Sequence, residues 1–220
     1  MDIALLIGGV IAGIGLIVGY AFWADKKRRE GLQRVAEEMG LEFFTEGSST
    51  LQSQLTGFKL FRTGRSRKMS KLIQGASDEV QISIFDYRYT VGGGKNSHTY
   101  SQTVAALQSR ELSVPDFTLR PESMLDKLGG MIGMSDIDFD SHPKFSSTYL
   151  LKGPNENAIR ALFGPQLLSY FEQQSGICVE AAPGMLILFR TGRKISPAGI
   201  KEFLSKGYEV YGMLVDSTRG

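Results

Sequence analysis

The strongest constraint on this chain is its first stretch. Residues 3–23 read IALLIGGVIAGIGLIVGYAFW, twenty-one positions without a charge. At 1.5 Å per residue, a helix of that length covers roughly 30 Å, the thickness of a bilayer's hydrocarbon core. Tyr20, Phe22 and Trp23 stand at its C-terminal end, where amphipathic rings favour the membrane interface. Lys26, Lys27, Arg28 and Arg29 follow at once, whereas Met1 and Asp2 alone precede the run. Cations concentrated on one flank predict an N-terminus outside and the rest of the chain in the cytoplasm. A cleaved signal peptide fits less well. No basic residue precedes the run, the run is long, and Ala21-Phe22-Trp23-Ala24 lacks the small-residue spacing of a cleavage site. The expectation is a single-pass anchor over residues 1–24.

Glycines crowd this segment. Gly9 and Gly13, then Gly15 and Gly19, give two GxxxG spacings. Such spacing lets helix backbones approach closely and suits a homodimer or a partner helix, although glycine is common in membrane helices generally.

The charge balance sharpens the address. The whole chain carries a net +2, but residues 24–72 hold eleven Lys/Arg against six Asp/Glu, a local excess of +5. The basic excess therefore lies next to the apolar run, on Lys26, Lys27, Arg28, Arg29, Arg62, Arg65, Arg67 and Lys68. Anionic headgroups attract such a segment. A nucleic-acid binder more often spreads its charge over the whole domain, so none is expected as a partner. The single cysteine, Cys178, excludes an intrachain disulfide and fits a reducing compartment.

Beyond the anchor, Leu32, Val35, Ala36 and Met39 recur at helical spacing, with Gly40 as a stop, which predicts a basic juxtamembrane helix over 25–40. A short strand over 41–44 and a brief helix capped by Ser49 come next. GFKLFRTGRSRKMSKLIQG reads as strand, turn and strand about Thr63-Gly64. EVQISIFDYRYTV, residues 79–91, is the clearest strand. Its alternation changes phase, so either both faces are covered or a bulge near Ile84 and Phe85 swaps them. A second strand through Leu107 completes a long hairpin. A short helix over 121–128, a strand over 145–151, helices after Pro154 and Pro165, a hairpin about Pro183-Gly184 and a helix from Ser196-Pro197 follow; residues 208–215 suit either state. Strand pairs and helices come in blocks, which predicts an α+β class: an N-terminal transmembrane helix, then antiparallel β-hairpins with flanking helices over 41–216. FRTGR occurs at 61–65 and again at 189–193. It stands either for two similar halves, divided near residue 115, or for two exposed turns of similar chemistry.

Candidate chemistry is sparse. Asp136, Asp138 and Asp140 alternate with Ile137 and Phe139, which on a strand would gather three carboxylates on one face, able to hold Mg²⁺ or Ca²⁺, or merely to be solvated. VGGGKNS departs from a phosphate-binding loop, having Tyr89 and Asn96 where glycine and Ser/Thr are required. Neither His98 nor His142 is spaced to serve a nucleophile, and Cys178 lies in an apolar run. No cofactor is expected.

With RREGLQRVAEEMGLEFF, FDYRYT, VPDFTLRPE, DIDF and FSSTYLLKG in view, the chain resembles a group of uncharacterised bacterial proteins with an N-terminal anchor and a cytoplasmic α+β domain, over roughly residues 26–215. The resemblance implies a bacterial inner-membrane setting and carries over no catalytic residue. The leading expectation is a membrane-tethered, non-enzymatic interaction or accessory domain, with the lipid bilayer and an unidentified membrane or cytoplasmic protein as partners. The alternatives are a metal-dependent enzyme or ligand binder on the Asp136, Asp138, Asp140 face, and an anionic-lipid surface binder.

Overall fold

The computed structural model describes residues 3–77, 79–123 and 135–219; within the first helix, side chains are described at residue 13 and from residue 15 onward. Helix α1 (Ile3–Glu38) runs unbroken from the apolar segment into the domain. Its C-terminal part buries Leu32, Val35 and Ala36, the stripe seen in the sequence. Gly40 ends it at φ +68°, a left-handed conformation that glycine adopts without strain. Gly40 N donates to Glu37 O and Leu41 N to Ala36 O, so a Schellman motif satisfies the last carbonyls.

Among the described residues, eight antiparallel strands follow in one sheet, in the order β1-β2-β3-β4-β8-β7-β5-β6. They are β1 (Glu42–Glu46), β2 (Arg65–Ala76), β3 (Gln81–Val91), β4 (His98–Gln108), β5 (Phe117–Pro121), β6 (Tyr149–Lys152), β7 (Cys178–Ala182) and β8 (Met185–Phe189). The α+β expectation with antiparallel hairpins therefore holds. Pairing of Val104 through Gln108 with Phe189 through Met185 joins the first four strands to the last four in one sheet. The two groups order their strands differently. FRTGR also occupies unlike places: the first copy leaves helix α3 (Lys59–Arg62) and enters β2, the second leaves β8. What the copies share is a turn glycine at positive φ, Gly64 and Gly192.

Both sheet faces are covered, which explains the phase change in β3. Ile82 and Ile84 belong to a core beneath α1, α5 (Glu156–Leu162), α6 (Pro165–Gln173) and α7 (Ile200–Arg219). Phe85, Tyr87 and Tyr89 belong to a second core beneath α2 (Ser49–Gln54) and α3. The β3–β4 register is unshifted. The bulges lie instead on β2, where Lys71 and Leu72 together oppose Phe85, and between Arg65 and Lys68. Ser66 and Lys71, at φ +52° and +54°, supply the left-handed residues there.

Several local expectations need correction. KLFR is helix α3, not strand, because its four side chains must lay Leu60 and Phe61 on the second core. The cap of α2 is Ser48, whose Oγ accepts from Leu51 N at 3.2 Å. Phe117–Pro121 is a strand; the helix expected over 121–128 falls largely on residues outside those described. Pro143–Thr148 is helix α4, begun by a proline pre-set for the first turn, and strand begins only at Tyr149. Residues 208–215 are part of α7. Among the described residues, no helix is long and apolar enough to cross a membrane. The anchor expected over residues 1–24 finds no support there; the side chains of residues 3–12 and 14 lie outside those described.

Leu188, fully buried in β8 at the joint between the strand groups, is the test of this core. Leu188→Ala should cost about 2–5 kcal/mol in urea unfolding. Gln81→Ala, exposed at the start of β3, should stay within about 0.5 kcal/mol.

Candidate functional site: the charged seat of helix α1

The sequence run IFDYRY places one carboxylate, Asp86, in a strand that is buried on both faces. Its side chain is only 5% exposed. A lone carboxylate there would be costly, so a partner is required. Arg28 supplies it from 58 residues away. Arg28 Nε donates to Asp86 Oδ2 at 2.7 Å and Nη2 to Oδ1 at 2.6 Å, a bidentate pair. The guanidinium also donates to Ile195 O at 2.8 Å and to Thr103 Oγ1 at 3.1 Å. Thr103 Oγ1 in turn bonds Asp86 and accepts from Ile195 N. One turn earlier on the helix, Asp25 takes Lys71 Nζ at 2.7 Å. That bond holds the Asp25 carboxyl below its ordinary pKa. The bulge in β2 aims Lys71 at the helix. Close approach of α1 is allowed by Gly31, where a Cβ would press on the Pro197 ring.

Beside this seat, between α1 and the outer parts of β2, β3 and β4, lies a cleft of about 260 Å³ bordered by Asp25, Lys68, Lys71, Asp86, Arg88 and Lys194. Lys194 stands 3.8 Å from Asp86. Burial lowers the Lys194 pKa, Asp86 opposes that shift, and the nearby Arg28 and Lys71 cations add to it.

A second buried charge lies on the other face. Glu180 of β7 is buried and accepts from Leu60 N at 3.2 Å, capping α3. Burial raises its pKa, opposed by Arg120 and by the backbone N–H groups. Lys59 beside it is pushed down to about 8, again by burial first.

The residues singled out in the sequence distribute unevenly over this structure. Arg28 leaves the exposed basic set and becomes the internal partner of Asp86. Lys26 and Lys27 are exposed, with Lys27 Nζ over the Trp23 ring at 4.9 Å, and Arg29 is half-buried. Arg65 donates to Gly92 O and Ser97 Oγ at the hairpin loop, and Arg67 to Phe61 O; Arg62 and Lys68 are exposed. Gly13, Gly15 and Gly19 have open space where a Cβ would stand, and Gly9 falls outside the residues whose surroundings are described. Asp136, Asp138 and Asp140 do not lie on a strand. Asp136 Oδ1 turns inward to accept from Ile137 N and Leu151 N, and Asp138 contributes its carbonyl to Arg160. Among the described residues, no group of three or more His, Cys, Asp or Glu could hold a metal ion. VGGGKNS forms the β3–β4 hairpin loop. Cys178 is buried, its thiol pushed up to about 11, and its Sγ lies 3.6 Å from Thr191 Oγ1. Of the seat, Asp25, Lys71, Asp86, Thr103 and Lys194 escaped the sequence reading as a set. The available signal is a single acid flanked by apolar and aromatic residues in a strand, Asp86 in IFDYRY and Glu180 in CVEAA.

No known protein family matches this chain, and no curated protein does. Among solved structures it is similar to the mycobacterial trehalose monomycolate transport factor A, TtfA. The TM-score is 0.60 at 14% identity, over 88% of this chain and 93% of that one. At that identity the likeness is one of fold, and it extends over nearly all of both chains.

Two outcomes test the buried charges. Arg28→Ala strands Asp86 and should cost about 3–5 kcal/mol in chemical denaturation, whereas Arg28→Met with Asp86→Leu should recover most of it. Glu180 gives a pH signature. Its folded pKa lies above the ordinary 4.5, so as pH rises past that value the unfolded chain loses the proton first. Stability then falls with rising pH until the folded group has also ionised. Glu180→Gln should abolish that slope, read as melting temperature against pH.

Proposed function

We propose that this chain is a membrane-tethered, non-enzymatic accessory domain of a bacterial inner membrane, with its N-terminus outside, its α+β domain in the cytoplasm, and a role in an assembly that moves lipid. The observation that carries the tether is the division of α1. Among the described residues, the large exposed apolar side chains are Leu16, Ile17, Val18, Tyr20, Phe22 and Trp23, with Phe44 alone outside the helix. Leu16 is 77% exposed and Phe22 74%. A run of that kind on a single helix needs an apolar surrounding. The same helix, a turn further on, is built into the domain through Arg28, Leu32, Val35 and Ala36. Tyr20 packs on Trp23 and Lys27 caps the Trp23 ring, an arrangement suited to the interface between hydrocarbon and water. The cations on the domain side support the orientation.

The accessory role draws on the fold. TtfA is named as a trehalose monomycolate transport factor, and its fold is shared over 88% of this chain. The candidate site supports the same reading: it is built as a charged seat that holds α1 against the sheet.

The full chain should sediment with bacterial membranes and resist alkaline carbonate. Leu16→Lys with Ile17→Lys should release it, since each charge near mid-bilayer costs about 2.5–3.5 kcal/mol. Recovery of the wild-type chain in the soluble fraction would overturn the tether. The accessory role requires that crosslinking within native membranes join the chain to an integral membrane transporter, and that the released variant lose that product.

A further inference from the structure

Resting on the tether just described, we propose that the cleft between α1 and the outer parts of β2, β3 and β4 binds the phosphate of an anionic lipid headgroup through Lys68, Arg88 and Lys194, over a floor made by Lys71. Strand parity gathers these groups. Lys68 pairs with Arg88 across β2 and β3, and Ser70 with Asp86, so the cations continue, towards the hairpin tip, the same face on which α1 sits. Lys194 closes the cleft from the segment after β8.

The carboxylates at the site are mostly spent. Both Asp86 oxygens are engaged by Arg28, and Asp25 is engaged by Lys71. Glu46 remains on the rim. Among the described residues, Lys68 and Arg88 are in no salt bridge, and Lys194 has only the long approach to the already engaged Asp86. A phosphate would meet two flexible ammonium groups and one planar fork, the donor set that anion recognition uses. It would also relieve the repulsion that Lys194 feels from Arg28 and Lys71. A space of about 260 Å³ suits a headgroup phosphate and is small for a whole drug-sized molecule.

Height selects the lipid over a free anion. Along the helix axis, Asp25 lies about 3 Å and Arg28 about 7.5 Å beyond Trp23. The headgroup layer beyond the hydrocarbon is roughly 5–7 Å thick. With Trp23 at the interface, the cleft opens at the level of the lipid phosphates.

The experiment reconstitutes the full chain in neutral phosphatidylcholine vesicles, in the same vesicles doped with phosphatidylglycerol, and in neutral vesicles with inorganic phosphate in the buffer. Acetylation rates of single lysines are read by mass spectrometry. Phosphatidylglycerol should slow Lys68 and Lys194 several-fold, leave Lys144 of α4 unchanged, and protect the exposed Lys27 less. Arg88→Glu should remove the protection of Lys68 and Lys194 while the chain stays in the vesicles. Equal rates in neutral and doped vesicles would overturn the proposal. So would protection that Lys27 shares equally and that survives Arg88→Glu, the mark of diffuse surface attraction. Equal protection by inorganic phosphate alone would overturn the lipid source in favour of a free-anion site. A chain that stays outside all the vesicles would overturn the tether itself, and with it the lipid ligand, while the phosphate arm would still report on the cleft.

Discussion

The seating of α1 on the sheet depends on one contact, the bidentate pair between Arg28 of α1 and Asp86 of β3. The pair joins the helix that opens the chain to a central strand of the sheet. Its value is positional. Taking two ions out of water costs several kcal/mol each, and their attraction in the interior returns that only when the geometry is good. Here the geometry is good: both carboxylate oxygens are met, and the spare guanidinium donors reach Ile195 O and Thr103 Oγ1. Leu32, Val35 and Ala36 could slide along an apolar sheet with little penalty. The ion pair admits one rotation and one height for α1, and Gly31 against Pro197 fixes how close it comes.

The sheet can accept a buried charge at Asp86 because its two faces are covered by different means. The longer helices α1 and α7, with α5 and α6, cover one face, while α2 and α3 cover the other. Strand β3 runs through both cores, so its apolar residues show no simple alternation. Asp86 falls where the apolar cover beneath α1 ends and the polar outer face begins. Inward from it lie Ile84 and Ile82; outward, on the same face, lies Arg88. The acid therefore marks the boundary between core and cleft, and the bulge opposite it brings Lys71 to the same boundary.

How much of this could be read in the sequence follows from the range of each interaction. The helix over residues 25–38, the β3–β4 hairpin, the β7–β8 hairpin and the α+β class were legible, because periodicity and turn chemistry are local. The helix at KLFR is not legible there, because the six residues between Gly57 and Gly64 carry no clear period, and the demand that Leu60 and Phe61 cover the second core is tertiary. The helical state of residues 145–148 is hidden for the same reason. The candidate site was nearly illegible. Its partners come from positions 25, 28, 71, 86, 103 and 194, brought together only by strand pairing and helix docking. The basic run 26–29 was legible as a run, yet nothing local distinguishes Arg28, which is withdrawn into the domain, from Lys27, which lies over Trp23. What separates them is the phase of the helix, a rotation of about 100° per residue.

That phase has a mechanical consequence. Many tethered domains hang from a flexible linker, and their orientation to the membrane is then averaged over the linker's conformations. Here no glycine or proline interrupts α1 between Trp23 and Arg28, and the first positive-φ residue after the helix begins is Gly40, beyond the seat. Under the proposed tether, the apolar half of α1 and the sheet would turn as one piece. The face bearing Lys68, Arg88 and Lys194 would then meet the headgroups at a set angle, while α4, α5 and α6, packed further along the sheet, would stay clear of them. Under the same proposal, an accessory domain held in this way would present one face to lipid and another to protein without any conformational change, and the Arg28–Asp86 pair would decide which face is which.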